Sequence, residues 1–130
     1  MRDVLVVDDN RGLADALAGL LQDEGFATRV AYDAEQAWKE VRSMRPDVVI
    51  LDIGLPGMGG LELARRLRVA FRNSLVLLAF TGSILAAEQA ALRSEFDAVI
   101  QKPASLDDIM FAMRAADRLD LAVPGLDLKR

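Results

Sequence analysis

The sequence predicts an α/β fold: a three-layer, doubly wound parallel sheet built from five (βα) units. Short β-branched runs alternate with longer stretches whose apolar residues recur every three or four positions, which is typical of βαβ units. The run at residues 48–51 is apolar without a break, as in a central strand covered on both faces. In such sheets the ligand site lies outside the carboxyl ends of the strands.

The predicted elements follow in chain order. Strands are predicted at residues 4–7, 27–31, 48–51, 75–79 and 98–100, and an alanine-rich helix at 84–93. The other helices are predicted from buried apolar faces. These faces are Leu13, Ala16, Leu17, Leu20 and Leu21; Ala34, Ala37, Trp38 and Val41; Leu63, Leu67, Ala70 and Phe71; and Leu106, Ile109, Met110 and Met113.

Three sequence signals predict where helices begin and end. Gly25 follows the first helical pattern and predicts its C-terminus. Asp33, with Gln36 three positions later, predicts the N-cap of the second helix. Ser105, with Asp108 in the corresponding position, predicts the N-cap of the last one.

Length and charge limit the classes of protein to consider. A chain of 130 residues fits one domain, expected over residues 1–120, with 121–130 as a tail or the start of a linker. Sixteen basic and twenty acidic residues give a net charge of -4, which argues against direct binding of nucleic acid. Without a signal-like or membrane-spanning apolar stretch, we expect a cytoplasmic chain that does not contact the membrane.

The chain contains neither cysteine nor histidine. These absences exclude a thiolate zinc site, a serine-histidine triad and an internal phosphohistidine. Any phosphoryl group would therefore have to come from another molecule.

Polar residues stand where four of the predicted strands end: Asp8 with Asp9, then Asp52, Thr81 and Lys102. Three carboxylates at one sheet edge repel one another, and a hard divalent cation with oxygen ligands relieves that repulsion. An ammonium and a hydroxyl beside the acids supply what a phosphorylated carboxylate needs. The pattern predicts a Mg²⁺ and phosphoryl site.

Each residue taken alone also has a simpler interpretation. One of Asp8 and Asp9 is equally compatible with capping a helix that starts near Arg11. Lys102 is compatible with an exposed surface lysine and Thr81 with a turn hydroxyl. Capping explains Asp52 poorly, because the glycine-rich and proline-containing loop that follows is unsuited to an immediate helix start.

Taken together, the motifs VVDDN, VVILDIGLPGMGG, Thr81-Gly82 and Lys102-Pro103, in this order over residues 1 to about 120, resemble the receiver domain of two-component response regulators. The resemblance implies a flavodoxin-like fold with strand order 2-1-3-4-5. It also implies a cis peptide bond between Lys102 and Pro103.

The resemblance further implies a role for each site residue. Asp52 would accept the phosphoryl group as an aspartyl phosphate. Asp8, Asp9, Asp52 and the Gly54 carbonyl would hold Mg²⁺, with Asp8 acting directly or through water. Lys102 would pair with the phosphoryl group and Thr81 would hydrogen-bond to it.

The implied partners are a sensor histidine kinase or histidine phosphotransfer protein as donor and a downstream protein as effector. The implied state is a monomer or a weak homodimer. Such a domain catalyses its own phosphorylation and dephosphorylation, and no turnover of a separate substrate is expected. A phosphatase acting on small substrates is less compatible, because Gly54 stands where an Asp-x-Asp motif has its second acid.

One departure supports an alternative function, a receiver-like interaction module that works without phosphorylation. Val99 stands where the family usually has Tyr or Phe three residues before the lysine. A weak response of the output surface to phosphorylation is therefore a hypothesis. Gly54 and Ser83 are both small at positions that control access of water, so we also expect little steric protection of the acyl phosphate.

Overall fold

A five-stranded parallel sheet forms the middle layer of the fold in the computed structural model, which describes residues 3–55, 59–82, 95–102 and 104–117. Its strands are β1 (Asp3–Val7), β2 (Ala27–Ala31), β3 (Val48–Asp52), β4 (Val76–Thr81) and β5 (Ala98–Gln101). They are ordered β2-β1-β3-β4-β5, and every neighbouring pair is parallel. The α/β class and the strand order implied by the resemblance are confirmed.

Helices cover both faces of this sheet. The described ones are α1 (Arg11–Asp23), α2 (Ala34–Ser43), α3 (Gly60–Phe71) and α4 (Leu106–Asp117), and a short 3-10 turn at Arg72–Ser74 follows α3. Helices α1 and α4 share a core with one face, and α2 and α3 share a core with the other. Within the described part of the chain, no helix is long and apolar enough to cross a bilayer. The predicted helix at 84–93 and the tail at 121–130 lie outside the described residues.

The central strands β1 and β3 are apolar at residues 4–7 and 48–51 because both of their faces are covered there. Along β1, Val4 and Val6 belong to the core under α1 and α4, whereas Leu5 and Val7 belong to the core under α2 and α3. Successive side chains of a strand point to opposite faces, so a strand buried on both sides needs an apolar residue at every position. The same division holds along β3.

The three helix ends predicted from the sequence have their free backbone groups hydrogen-bonded as expected. Asp33 Oδ1 accepts the Gln36 N–H at 2.7 Å, and Ser105 and Asp108 exchange hydrogen bonds of 3.0 and 3.2 Å. Gly25, at φ +102°, follows α1, and its N–H donates to the Gln22 carbonyl. Only glycine adopts that backbone conformation readily, which is why α1 ends there.

The buried face of α1 differs from the predicted one. Leu13, Ala16 and Leu20 are exposed, and the residues that α1 buries are Ala14, Leu17, Ala18 and Leu21. The prediction followed the leucines, but the small alanines face the sheet and permit the helix to lie close to it. For the same reason α3 buries Ala64, whereas the predicted Ala70 is exposed.

The register of the sheet brings the ends of its strands into line. Val7 pairs with Leu51, Asp52 with Phe80, and Thr81 with Gln101. The residues at or just beyond these pairs are the ones predicted to form the site. Parallel pairing thus places Asp8, Asp52, Thr81 and Lys102 at one edge.

A buried ion pair lies at the starts of β4 and β5, at the end of the sheet away from the acidic residues. Arg68 Nη2 donates to Asp97 Oδ2 at 2.8 Å, and the same oxygen accepts the Leu77 N–H at 2.8 Å. The Arg68 and Asp97 side chains are only 17% and 7% exposed. Three further N–H groups of the guanidinium donate to the carbonyl oxygens of Arg72, Leu75 and Glu95. Helix α3 is thereby fixed to the starts of β4 and β5.

We predict that Arg68→Met destabilises the protein by about 3–5 kcal/mol, because it leaves the Asp97 carboxylate buried without its cation. Arg65→Met is the matched control on the same helix. Its side chain is 57% exposed and its Nε lies 3.7 Å from Glu95 Oε1, so a loss below about 1 kcal/mol is expected. Urea unfolding at neutral pH measures both changes, and equal losses would contradict a structural role specific to Arg68.

Candidate functional site

Three carboxylates meet at the carboxyl edge of the sheet. One oxygen from each of Asp8, Asp9 and Asp52 lies within 4.8 Å of the other two. Asp8 is 3% exposed, whereas Asp9 is exposed and Asp52 is intermediate. The cluster therefore has a buried base and an open side that a ligand can reach.

The position of Asp8 follows from the end of β1. Its N–H donates to the Ala31 carbonyl at 3.1 Å, which extends the pairing of β1 with β2 by one residue. Its Oδ1 accepts the Asn10 N–H at 3.0 Å, and this hydrogen bond orients the carboxylate.

The N-cap of α1 is Asn10, which the sequence analysis did not single out. Asn10 Oδ1 accepts the Leu13 N–H at 3.1 Å. Neither Asp8 nor Asp9 caps the helix, so that alternative interpretation is wrong. Asparagine is among the favoured N-caps, and this preference was the signal that could have identified it.

The Lys102 ammonium points into the acidic cluster. Its Nζ lies 3.1 Å from Asp8 Oδ2 and 3.7 Å from Asp52 Oδ2. Its backbone N–H donates to the Thr81 carbonyl at 2.7 Å, which fixes the base of the side chain beside the end of β4. The side chain is 23% exposed, so the interpretation of Lys102 as a plain surface lysine is wrong. Pro103, and with it the implied cis bond, lies outside the described residues.

Burial raises the pKa of Asp52 above its ordinary value, and the neighbouring Asp8 charge raises this pKa further. The Gly54 N–H, which donates to Asp52 Oδ1 at 3.1 Å, and the Lys102 ammonium both oppose the shift. Ionisation of Asp52 therefore costs more free energy in the folded protein than in the unfolded chain.

Thr81 and Gly54 complete the set of predicted site residues. Thr81 is the last residue of β4 and is 7% exposed. Gly54 is exposed, and it contacts Asp52 through its backbone N–H. The structure thus brings all the predicted site residues to one edge. The Gly54 carbonyl as a metal ligand and the Thr81 hydroxyl as a phosphoryl donor stay predictions.

This donor set fits a hard divalent cation such as Mg²⁺. Carboxylate oxygens are its preferred protein ligands, and three of them already converge here. A bound cation would also offset the repulsion between Asp8 and Asp52 more strongly than Lys102 does alone, because it carries two charges. A metal site of this class is what the described residues support.

Gly60 lets the start of α3 lie against the backbone of Asp52 and Ile53, and no sequence pattern singled out this glycine. Its N–H donates to the Ile53 carbonyl at 3.2 Å. A Cβ added at Gly60 would lie 2.5 Å from the Asp52 carbonyl oxygen and 2.7 Å from Ile53 Cα. The start of α3 can pack this closely only because residue 60 has no side chain. The surrounding loop contains several glycines, so its sequence did not indicate which one is required.

The fold and the site define a class: doubly wound α/β domains with an acidic cluster and a lysine at the carboxyl edge of the sheet. The chain belongs to the response regulator receiver domain family, whose model matches residues 4–114. Accepting a phosphoryl group in two-component signalling is the standard function of this family.

Individual relatives and solved structures similar to this chain are also response regulators. The chain is 40% identical over 113 residues to the DNA-binding response regulator MtrA of Mycolicibacterium paratuberculosis. The aligned region covers 86% of this chain and 49% of MtrA. The chain thus spans about half the length of the curated relatives it matches. Among solved structures, a CheY-like receiver domain protein of Methanospirillum hungatei superposes with a TM-score of 0.85 at 23% identity, covering 95% of this chain and 99% of the other.

A second solved structure is a response regulator of Burkholderia pseudomallei described with a phosphorylated aspartic acid, a calcium ion and citrate. It superposes with a TM-score of 0.81 at 27% identity and covers 93% of this chain and 72% of the other.

We predict that Asp52→Asn stabilises the metal-free protein at pH 7, because it removes a charge whose pKa is raised on folding. The wild-type protein loses stability as the pH rises from the ordinary aspartate pKa of 3.8 through the raised one, and the variant avoids this loss. The gain should therefore shrink as the pH falls toward 3.8. Urea unfolding in EDTA across this pH range measures it.

Asp107→Asn is the control for this charge effect. Asp107 is exposed in the first turn of α4, where a negative charge is favourable, so its neutralisation should give no gain. A gain of equal size in both variants would show that net charge, and not the acidic cluster, is responsible.

We also predict that Gly60→Ala destabilises the protein by about 1–3 kcal/mol, because the methyl group overlaps the backbone that carries Asp52. The same substitution at Gly19 in α1, where an added Cβ meets nothing within 4 Å, should stabilise it by about 0.5–1 kcal/mol. Thermal or urea unfolding measures both variants. A neutral Gly60→Ala would rule out the close approach.

Proposed function

We propose that Asp52 of this chain accepts a phosphoryl group, with Mg²⁺ held by Asp8, Asp9, Asp52 and the Gly54 carbonyl. The observation that carries the proposal is the convergence of three carboxylates and the Lys102 ammonium at one sheet edge. The aspartyl phosphate named for the Burkholderia pseudomallei relative is consistent with this assignment.

The transfer needs an acceptor oxygen, an oriented donor and a balance of charge. A carboxylate oxygen of Asp52 forms the new O–P bond as the P–N bond to a donor imidazole breaks, and the electron pair stays on the imidazole nitrogen. The Gly54 N–H already holds Asp52 Oδ1, which orients the carboxylate. Because the donor arrives activated, the domain needs no general base of its own.

Lys102 changes partner during this reaction. Its ammonium is 3.7 Å from Asp52 Oδ2 before transfer, so a short movement takes it to the oxygens of a phosphoryl group on Asp52. The Thr81 hydroxyl donates to another of these oxygens. When bound, Mg²⁺ neutralises part of the phosphoryl charge. Lys102 and Thr81 thus act by position and charge, and only Asp52 forms a covalent bond.

The donor is a sensor histidine kinase or a histidine phosphotransfer protein, since the chain has no histidine with which to form a phosphohistidine itself. The effector that responds to the phosphorylated state is a downstream protein or a further domain. MtrA is named a DNA-binding response regulator, but the matched region is only about half of it. For this chain, whose expected domain is 1–120, we expect no direct binding of nucleic acid, in keeping with its net charge of -4.

Incubation with acetyl phosphate and Mg²⁺ tests the acceptor. Intact-mass measurement should show one added phosphoryl group, which disappears with EDTA and with Asp52→Asn. Asp107→Asn, an exposed acid on α4, should retain the adduct. Lys102→Met should slow its formation by about tenfold or more, because a charge-assisted hydrogen bond to the phosphoryl group is lost.

The alternatives give different outcomes in the same assay. The absence of any adduct, from acetyl phosphate and from an autophosphorylated sensor kinase alike, would favour a receiver-like interaction module. Continuous hydrolysis of added monoesters would favour a phosphatase. An adduct that survives Asp52→Asn would place the acceptor elsewhere.

A further inference from the structure

An aromatic ring lies beneath the lysine of the site. Lys102 Nζ is 5.0 Å from the centroid of the Phe80 ring. Phe80 is 7% exposed and belongs to the core between the sheet and helices α1 and α4. One face of an immobilised ring is thus directed at the ammonium, at a distance typical of a cation–π interaction.

The register of the sheet explains why the two side chains meet. Phe80 pairs with Ile100 across β4 and β5, and both belong to the same core cluster. Lys102 follows Ile100 by two residues, so its side chain leaves the backbone on that same face. Thr81, which follows Phe80 as the last residue of β4, belongs to the other face by the alternation of side chains along a strand. Phe80 is therefore the β4 side chain that is placed to contact the stem of Lys102.

The ring differs in kind from the other groups around the ammonium. Within the described part of the chain, those groups are the carboxylates of Asp8 and Asp52, which are also proposed metal ligands. The attraction between such a carboxylate and the Lys102 ammonium changes when the carboxylate binds a cation or carries a phosphoryl group. The Phe80 ring carries no charge and is packed in the core, so its attraction for the ammonium does not depend on the charge of the two carboxylates.

We propose that Phe80 is a positioning residue for Lys102, whose buried ring holds the ammonium over the strand ends independently of the carboxylates. The consequence for phosphorylation rests on the function proposed above, whereas the contact itself does not. A flexible lysine with four rotatable bonds is thereby kept close to the place where the phosphoryl oxygens arrive. Loss of the ring's attraction should slow phosphorylation without removing the acceptor.

Fluorination of the Phe80 ring separates its electrostatic role from its packing role. Phenylalanine carrying one, two and three fluorine atoms is introduced at position 80, which withdraws electron density from the ring with little change in shape. We expect the rate of phosphorylation by acetyl phosphate to fall step by step, reaching about two- to fivefold with three fluorine atoms. A rate that does not depend on fluorination would overturn the proposal.

Phe96 provides the matched control. It is fully buried, in the core on the opposite face of the sheet, so the same fluorine series there should leave the rate unchanged. An equal decline in both series would mean that fluorination acts through packing, which would also overturn the proposal.

A second measurement does not require phosphorylation. The Lys102 methylene protons next to Nζ should show an upfield ring-current shift in the NMR spectrum of the metal-free protein, and Phe80→Leu should abolish it. Absence of the shift would overturn the proposal even if phosphorylation proceeds. If the wild-type protein forms no adduct, the proposed function fails, and the role of Phe80 in holding Lys102 is then decided by this shift alone.

Discussion

The arrangement of the site depends on one balance of charge at the carboxyl edge of the sheet. Burial raises the pKa of Asp52 and the nearby Asp8 carboxylate raises it further, and the Lys102 ammonium partly compensates by lying 3.1 Å from Asp8 and 3.7 Å from Asp52. The compensation is incomplete, since burial and Asp8 together outweigh Lys102 and the Gly54 N–H. A site left short of positive charge attracts a divalent cation, and this shortage links the fold to the proposed chemistry.

Stability and function are concentrated at opposite ends of the strands. At the starts of β4 and β5, the guanidinium of Arg68 satisfies the buried Asp97 carboxylate and three carbonyl oxygens. At the other end, carboxylates crowd together, and Gly60 lets the start of α3 lie against the backbone of Asp52 and Ile53. Functional sites commonly reduce stability, and a well-satisfied polar network elsewhere in the sheet offsets part of that cost.

The position of the aromatic residue distinguishes this chain from the usual receiver pattern. Val99, where an aromatic ring is usual, is partly buried and packs on the core under α2 and α3. Among the described residues, Phe80 is the aromatic residue whose ring lies against the Lys102 ammonium, and it lies on the opposite face of the sheet from Val99. The hypothesis of a weak response at the output surface stays a prediction, because much of that surface lies outside the described residues.

By itself the sequence determined the fold class, the strands to within one or two residues, three helix ends and the residues of the candidate site. It did so because periodicity, caps and strand-end polar residues are local signals. Which leucines of α1 are exposed, which glycine is indispensable, and which ring contacts Lys102 were decided only in the tertiary structure. Each of these depends on how closely two elements distant in the chain approach each other, and no local pattern encodes that distance.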